Sequence, residues 1–144
     1  MSAPPGIPSL AGLDGETQQS IRMACMTQFG EGPAAYGRCL SRQLDAVRSS
    51  PGIPSLAGLD SETQQSIRTA CMTQFAEGPV AYGRCLSGQV DAVRTSPGIP
   101  SLAGLDCETQ QSIRMACMTQ FGEGPVAYGK CLRAQLRSIG IQPR

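Results

Sequence analysis

The chain has 144 residues, of which 40% are hydrophobic and 4% aromatic, with a formal net charge of +1 and no histidine. The near-zero charge gives no electrostatic basis for binding nucleic acid. Without histidine, serine–histidine–aspartate and cysteine–histidine catalysis and most zinc sites are excluded, and no apolar run approaches the roughly 20 residues that span a bilayer. We therefore expect no enzyme activity, no cofactor, no nucleic-acid partner and no membrane insertion.

One 46-residue unit is written three times. The segment PGIPSLAGLD begins at Pro5, Pro51 and Pro97, and the first two units differ at only seven aligned positions. Self-similarity at a fixed period is the signature of a repeat architecture. The third unit ends in RSIGIQ instead of DAVRTS, as terminal repeats often do. The predicted repeats are residues 1–50, 51–96 and 97–144.

Each repeat opens with a linker rich in proline and glycine, which argues against an α-helix there. In the first repeat Ile7, Leu10 and Leu13 are spaced three apart, which fits a 3₁₀ turn or a single helical turn. Loops seldom carry regularly spaced aliphatic residues, so we expect these side chains to pack on a helix pair. The corresponding packing residues of the later linkers are Ile53, Leu56, Leu59, Ile99, Leu102 and Leu105.

Helical signals follow the linker. Asp14 suits the N-cap position and Glu16 the first turn, where a carboxylate favours the helix dipole. Apolar residues recur at helical spacing up to Phe29, and then glycine ends the helix and Pro33 restarts one. The equivalent predicted N-caps are Asp60 and Asp106. The predicted helices are about 15–29, 33–48, 61–75, 79–94, 107–121 and 125–139.

Two helices with a short connection form an αα-hairpin, in which residues equidistant from the turn lie level with one another. Cys25 lies seven residues before Gly32 and Cys39 lies seven after it, both on the inward faces. This symmetry predicts a disulfide within each hairpin, subject to an acceptable Cα separation. The equivalent pairs are Cys71 with Cys85 and Cys117 with Cys131. The alternative is that the cysteines stay reduced and pack.

The predicted fold class is therefore all-α: a solenoid-like tandem array of three disulfide-linked αα-hairpins, joined by packed linkers. Disulfides persist in oxidising compartments, so their formation would place the chain in the periplasm or outside the cell. The start MSAPPGIP has neither the charged nor the apolar region of a signal peptide.

Two further positions stand out in the alignment of the repeats. Cys107 replaces Gly15 and Ser61 in the first turn of a helix, where we expect a free thiol that can form an intermolecular disulfide. The alternative is an exposed, unreacted cysteine. Gly83 lies inside the second helix, as do its equivalents Gly37 and Gly129. This glycine indicates a close backbone approach, to the partner helix near the bridge or to the linker of a neighbouring repeat, unless near-identical copies merely inherited it.

These observations favour a non-catalytic structural repeat or protein-interaction scaffold, whose partner is a protein or peptide, or a second copy joined through Cys107 or the ends of the array. The paired acids Asp14 and Glu16 lack the further ligands of a calcium loop, which favours the capping interpretation. The alternative function is a thiol-based metal-binding or redox protein. It would need cysteines from two repeats to converge, and the sequence has no CxxC motif.

The motif ACMTQF-x-EGP-x-AYGRCL-x-x-Q[LV] runs through all three hairpins, with Lys130 for the arginine in the third. It resembles a short cysteine-bearing helical hairpin found, singly or in tandem, in bacterial proteins of uncertain function. The matching residues are Ala24, Cys25, Gly32, Pro33, Ala35, Tyr36, Cys39, Leu40 and Leu44.

At the level of architecture the chain is also similar to helix-pair solenoids of the tetratricopeptide and HEAT kind. The tetratricopeptide length and signature do not match, and the long linker is foreign to both. Near-identical copies are compatible with an engineered or recently amplified array. Scattered substitutions such as Met23/Thr69 and Ser61/Cys107 favour natural drift instead.

Overall fold

The computed structural model describes residues 7–50 and 52–142 of the chain. All regular secondary structure in these two ranges is helical, which confirms the predicted all-α class. The helices are α1 (Gly15–Ala24), α2 (Met26–Phe29), α3 (Pro33–Arg48), α4 (Ser61–Ala70), α5 (Met72–Phe75), α6 (Pro79–Arg94), α7 (Cys107–Ala116), α8 (Met118–Phe121) and α9 (Pro125–Ser138). None of the helices in this part of the chain combines the length and the apolar character that crossing a membrane requires.

A break at the first cysteine divides the helix that the sequence predicts at about 15–29. Cys25 has φ −104° and ψ 11°, so α1 ends before it and α2 follows it. The Cys25 N–H donates to both the Ile21 and the Arg22 carbonyls, at 3.1 and 3.2 Å, which tightens the last turn of α1. Apolar spacing continues through the break, so periodicity does not reveal it. The same break occurs at Cys71 and Cys117.

The last helix ends at Ser138 in a Schellman motif. Gly140 has φ +83° and its N–H donates to the Arg137 carbonyl at 3.0 Å. The Ile141 N–H donates to the Leu136 carbonyl at 2.9 Å. Glycine adopts this left-handed conformation without the steric cost of a side chain, which explains the stop.

Each linker ends in a β-turn, where the sequence predicts a 3₁₀ or helical turn. The Leu13 N–H donates to the Leu10 carbonyl at 3.3 Å, and Gly12 at the third turn position has φ +94°. The same turn recurs at Leu56–Leu59 and at Leu102–Leu105. Leu10, Leu56 and Leu102, the first residues of these turns, are buried, between 4% and 6% exposed.

The remaining predicted packing residues are covered less completely. Ile53, Leu59, Ile99 and Leu105 are half-buried, and Ile99 and Leu105 pack against a core that includes Leu102. The linkers thus contribute to the packed structure, with one fully buried leucine each.

The chain forms two compact units, Met1–Ser55 with Cys71–Leu86 and Leu56–Ala70 with Ser87–Arg144. Neither unit coincides with one of the predicted repeats. In the first unit α5 of the second repeat packs beside α1 of the first repeat. In the second unit α4 of the second repeat packs against α8 and α9 of the third.

A small core lies within each unit. A hydrophobic cluster in the first unit comprises the buried residues Leu10, Ile21, Cys25, Tyr36, Cys39 and Leu40. A cluster in the second unit comprises Leu102, Ile113, Cys117, Tyr128, Leu132 and Leu136. An edge-to-face aromatic pair accompanies each core, with ring centroids 4.9 Å apart for Phe29 and Tyr36 and 5.0 Å apart for Phe121 and Tyr128.

The three predicted disulfides are present. They join Cys25 to Cys39, Cys71 to Cys85 and Cys117 to Cys131, each with a Cα–Cα distance of 5.7 Å. That distance lies at the centre of the usual range for disulfides. Each bridge therefore links the break after the first helix to the helix that returns.

The glycine inside the second helix meets the linker of its own repeat. A Cβ added at Gly83 would lie 3.5 Å from the Gly52 carbonyl oxygen and 3.7 Å from the Ile53 Cα. At Gly129 the corresponding distance to the Gly98 carbonyl oxygen is 3.4 Å. The close approach is therefore real, but it leaves room for a methyl group and for nothing larger.

Substitutions at Gly83 should separate helix propensity from the contact with the linker. Gly83→Ala should be neutral or stabilise by up to about 1 kcal/mol, because alanine favours the helix by about that amount. Gly83→Leu should destabilise, because its side chain meets the linker backbone. Gly88 in the same helix has nothing within 4 Å of an added Cβ, so Gly88→Leu is the matched control and should be tolerated. Urea unfolding without reductant measures all of these variants. Equal stability of Gly83→Leu and Gly88→Leu would contradict the packed linker.

Removal of one bridge should lower the free energy of unfolding substantially. A disulfide that closes a loop of about 15 residues is worth about 3 kcal/mol in the loop-entropy model, so the double variant Cys71→Ala/Cys85→Ala should lose about that much in urea unfolding. Unfolding of the variant and the parent in a reducing agent is the control, because neither chain then has bridges. If the stability difference between them is the same in the reduced and oxidised states, the loss comes from side-chain packing and not from the cross-link.

Candidate functional site

The first helix of each repeat is fixed at its start by an aspartate cap. Asp14 Oδ1 accepts a hydrogen bond from the Thr17 N–H at 2.7 Å, and Gln18 Nε2 donates to the Leu13 carbonyl at 2.8 Å. The cap ties the helix to the linker turn, and Thr17, Ser20 and Ile21 then share one buried side of α1. Asp60 and Asp106 make the same bond, at 2.7 and 2.8 Å. The side-chain and backbone hydrogen bonds of Thr109 lower the pKa of Asp106.

In the first unit this side of α1 docks on the second repeat through two hydrogen bonds. The Ser20 hydroxyl donates to the Phe75 carbonyl at 2.7 Å, and Ser20 is 0% exposed. The Tyr82 hydroxyl donates to Glu16 Oε2 at 2.9 Å. The Phe75 carbonyl also accepts from the Gly78 N–H at 3.4 Å, so both of its lone pairs are used.

The second unit repeats the arrangement with the equivalent residues. The Ser66 hydroxyl donates to the Phe121 carbonyl at 2.8 Å, and the Tyr128 hydroxyl donates to Glu62 Oε2 at 3.0 Å. Arg114 adds an ion pair, with its Nε 3.6 Å from Glu62 Oε2. Both side chains of this ion pair are roughly 40% exposed, so its contribution to stability is small.

We call the side of the first helix that makes these bonds the donor face, and the loop and helix that receive it the acceptor face. The donor face comprises the serine and the glutamate, and the acceptor face comprises the phenylalanine carbonyl and the tyrosine hydroxyl. A crevice lies beside these bonds in the first unit, lined by Thr17 and Val47 of the first repeat and by Pro79 and Val80 of the second.

The sequence did not identify the donor face. Ser20 and Ser66 belong to a residue class expected on solvated helix surfaces, yet both are 0% exposed. For Glu16 the sequence predicts only a favourable charge at the start of the helix. The available signal was the helical position of Ser20, which precedes Ala24 of the predicted inward face by four residues and so lies on the same side of the helix.

The structure places the seventh cysteine where the alignment predicts it. Cys107 is the first residue of α7 and is exposed, and it is the one cysteine outside the three bridges, all seven cysteines being among the described residues. Within residues 7–50 and 52–142, no three or more side chains of histidine, cysteine, aspartate or glutamate are grouped in a way that could hold a metal ion.

Comparisons of the chain with protein-family models, with curated protein sequences and with solved structures give no match.

The Tyr128 phenol should titrate at unusually high pH. Burial is the main cause that raises the pKa of Tyr128 to about 12, and the Glu62 carboxylate adds to it. The unfolded value is about 10, so this contribution to stability is complete below about pH 10 and is lost as the pH rises through about 12. Tyrosinate absorbance in a Tyr36→Phe/Tyr82→Phe chain, which retains Tyr128 alone, measures the pKa.

Glu62→Gln in that chain should lower the Tyr128 pKa only in part, because burial remains when the charge is removed. A Tyr128 phenol that titrates at about 10 in the folded chain would contradict the docked arrangement of the second unit.

Proposed function

We propose that this chain is a non-catalytic structural repeat protein that serves as a scaffold for contacts with other proteins. The observation that carries the proposal is that one repeat docks on the next through the same side chains twice along the chain. In both cases the docked element is the first helix of a repeat. It is bound by one backbone carbonyl and one tyrosine hydroxyl of the following repeat. A surface of that chemistry binds polypeptide.

The buried bridges support a structural role for the cysteines. Cys25, Cys71 and Cys117 are each 0% exposed, so one sulfur of every bridge is enclosed by the core. Thiol–disulfide exchange requires that a thiolate reach a sulfur atom, and enclosure opposes this. Bridges of this kind are maintained in an oxidising compartment, and we propose the periplasm or the cell exterior as the location.

A count of free thiols tests the proposal against the thiol-based alternative. The denatured, unreduced chain should show one reactive thiol and no stoichiometric metal, and Cys107→Ser should show none. The parent count should stay at one in a glutathione buffer poised near about −250 mV, because structural bridges resist that potential.

The opposite results are equally clear. Seven thiols with bound metal would favour a metal-binding protein. A count that rises in the glutathione buffer and falls again on reoxidation would favour a redox protein. Either outcome would overturn the structural assignment.

A further inference from the structure

The donor face of the third repeat is exposed, although its counterparts are covered. Ser112 is exposed, whereas its equivalents Ser20 and Ser66 are 0% exposed. Ile139 is 50% exposed, while Val47, at the same position of the first repeat, is half-buried beside Pro79 and Val80. The sequence ETQQSIRMA of α7 is identical to that of α1. The third repeat therefore presents the side chains with which the first repeat docks.

The acceptor face of the first repeat is exposed in the same way. Phe29 is 62% exposed and Ile7 is 54% exposed, and Pro33 is also exposed. Their equivalents in the later repeats are buried or half-buried; these are Phe75, Phe121, Ile53, Ile99, Pro79 and Pro125. From Cys25 to Ser41 the first repeat differs from the second at two positions only, Gly30/Ala76 and Ala34/Val80.

From these two faces we propose that the chain binds a second copy of itself head to tail, with α7 of one copy docked on the first repeat of the next. The inference rests on the proposed scaffold function and names its partner. The Ser112 hydroxyl of one copy donates to the Phe29 carbonyl of the other, as Ser20 does to Phe75. Glu108 accepts the hydrogen bond of Tyr36, as Glu62 accepts that of Tyr128.

Charge and shape complement these hydrogen bonds. Arg22 and Tyr36 line a depression of the first repeat, and Arg114, the equivalent of Arg22, lines the corresponding depression of the third. Glu62 borders the depression of the third repeat and pairs with Arg114 there. The described residues that line the depression of the first repeat include no acid, and Arg22 is exposed. Glu108 of a second copy supplies that acid.

The contact is heterologous, so the copy at each end of an open chain retains one free face and can add a further copy unless a ring closes. It also lacks the linker that holds neighbouring repeats at an effective concentration near about 1 mM within one chain. Association between copies is therefore weaker than docking within a copy, and it depends on protein concentration.

Sedimentation velocity over about 10 μM to about 1 mM tests the proposal, because this range reaches the effective concentration of neighbouring repeats within one chain. The chain carries Cys107→Ser, so that no intermolecular disulfide contributes. The weight-average mass should rise with concentration past that of a dimer, or reach that of a closed ring. Ser112 and Ala34, the two residues to be substituted, are exposed, so the variants should fold. Their helical content and thiol count verify this.

Ser112→Arg on the donor face and Ala34→Arg on the acceptor face should each weaken association at least about tenfold, equivalent to about 1.4 kcal/mol. Gln111→Arg is the matched control, because Gln111 lies beside Ser112 on α7 and its equivalents Gln19 and Gln65 are exposed. That variant should associate like the parent.

Mixing the two face variants gives the decisive result. Ser112→Arg retains a working acceptor face and Ala34→Arg retains a working donor face, so an equimolar mixture should form a one-to-one dimer and nothing larger. If the chain instead formed a symmetric dimer, mixing the two variants would not restore association. A mixture that stays monomeric would therefore overturn the proposal. A chain that stays monomeric up to about 1 mM would also overturn it, leaving the faces to a different partner. In either case the thiol count, and with it the scaffold function, would be unaffected.

Discussion

A hairpin of two short helices has little apolar surface to bury, and this limit shapes every other feature of the chain. One hydrophobic cluster of the first unit has six buried residues, and two of them are the cysteines of the Cys25–Cys39 bridge. The bridge thus fills the core and also restricts the unfolded chain. The linker adds a buried leucine, and the adjacent repeat covers the remaining side of the first helix. A hairpin, its linker and part of a neighbour together make one stable unit, which is why neither compact unit coincides with a repeat.

The docking between repeats uses backbone carbonyl groups as acceptors, which remain available when nearby side chains are substituted. Ser20 and Ser66 donate to backbone carbonyls, and a backbone acceptor is present whatever side chains surround it. The tyrosine–glutamate bond fixes the register, because it requires one residue on each partner at defined positions. The serine and tyrosine residues that donate these bonds are buried. Loss of the acceptor would leave a buried hydroxyl group unsatisfied, which costs about 1–3 kcal/mol. These bonds therefore specify the docked arrangement, because a misaligned arrangement would leave the hydroxyl groups unpaired.

The exposure of large apolar side chains depends on whether a neighbouring repeat covers them. Met26, Met72 and Met118 occupy one position and are 55–60% exposed in all three repeats, so neighbouring repeats do not cover them. Phe29 and Ile139 differ from these methionines. Both are exposed, whereas the equivalent residues Phe75, Phe121 and Val47 are half-buried. Exposure that is confined to one repeat in this way is the physical basis for the proposed self-association.

The sequence by itself determined the period, the all-α class, the pairing of the cysteines and the aspartate caps. Each of these follows from local spacing: a 46-residue offset, helical periodicity, symmetry about Gly32, and Asp14 before a helix. The sequence also predicted a close approach at Gly83, but its two candidate partners, the other helix and the linker of a neighbouring repeat, were wrong, because the structure brings Gly83 to the linker of its own repeat.

Only the tertiary structure decided the break at Cys25, the burial of Ser20 and the role of Glu16. The break depends on a bifurcated backbone hydrogen bond at the bridge, and apolar spacing carries no record of that. Ser20 and Glu16 act on residues more than fifty positions away. From local sequence a polar side chain is predicted to be exposed to solvent. Its burial depends on a hydrogen-bond partner that lies elsewhere in the chain and that only the fold brings close.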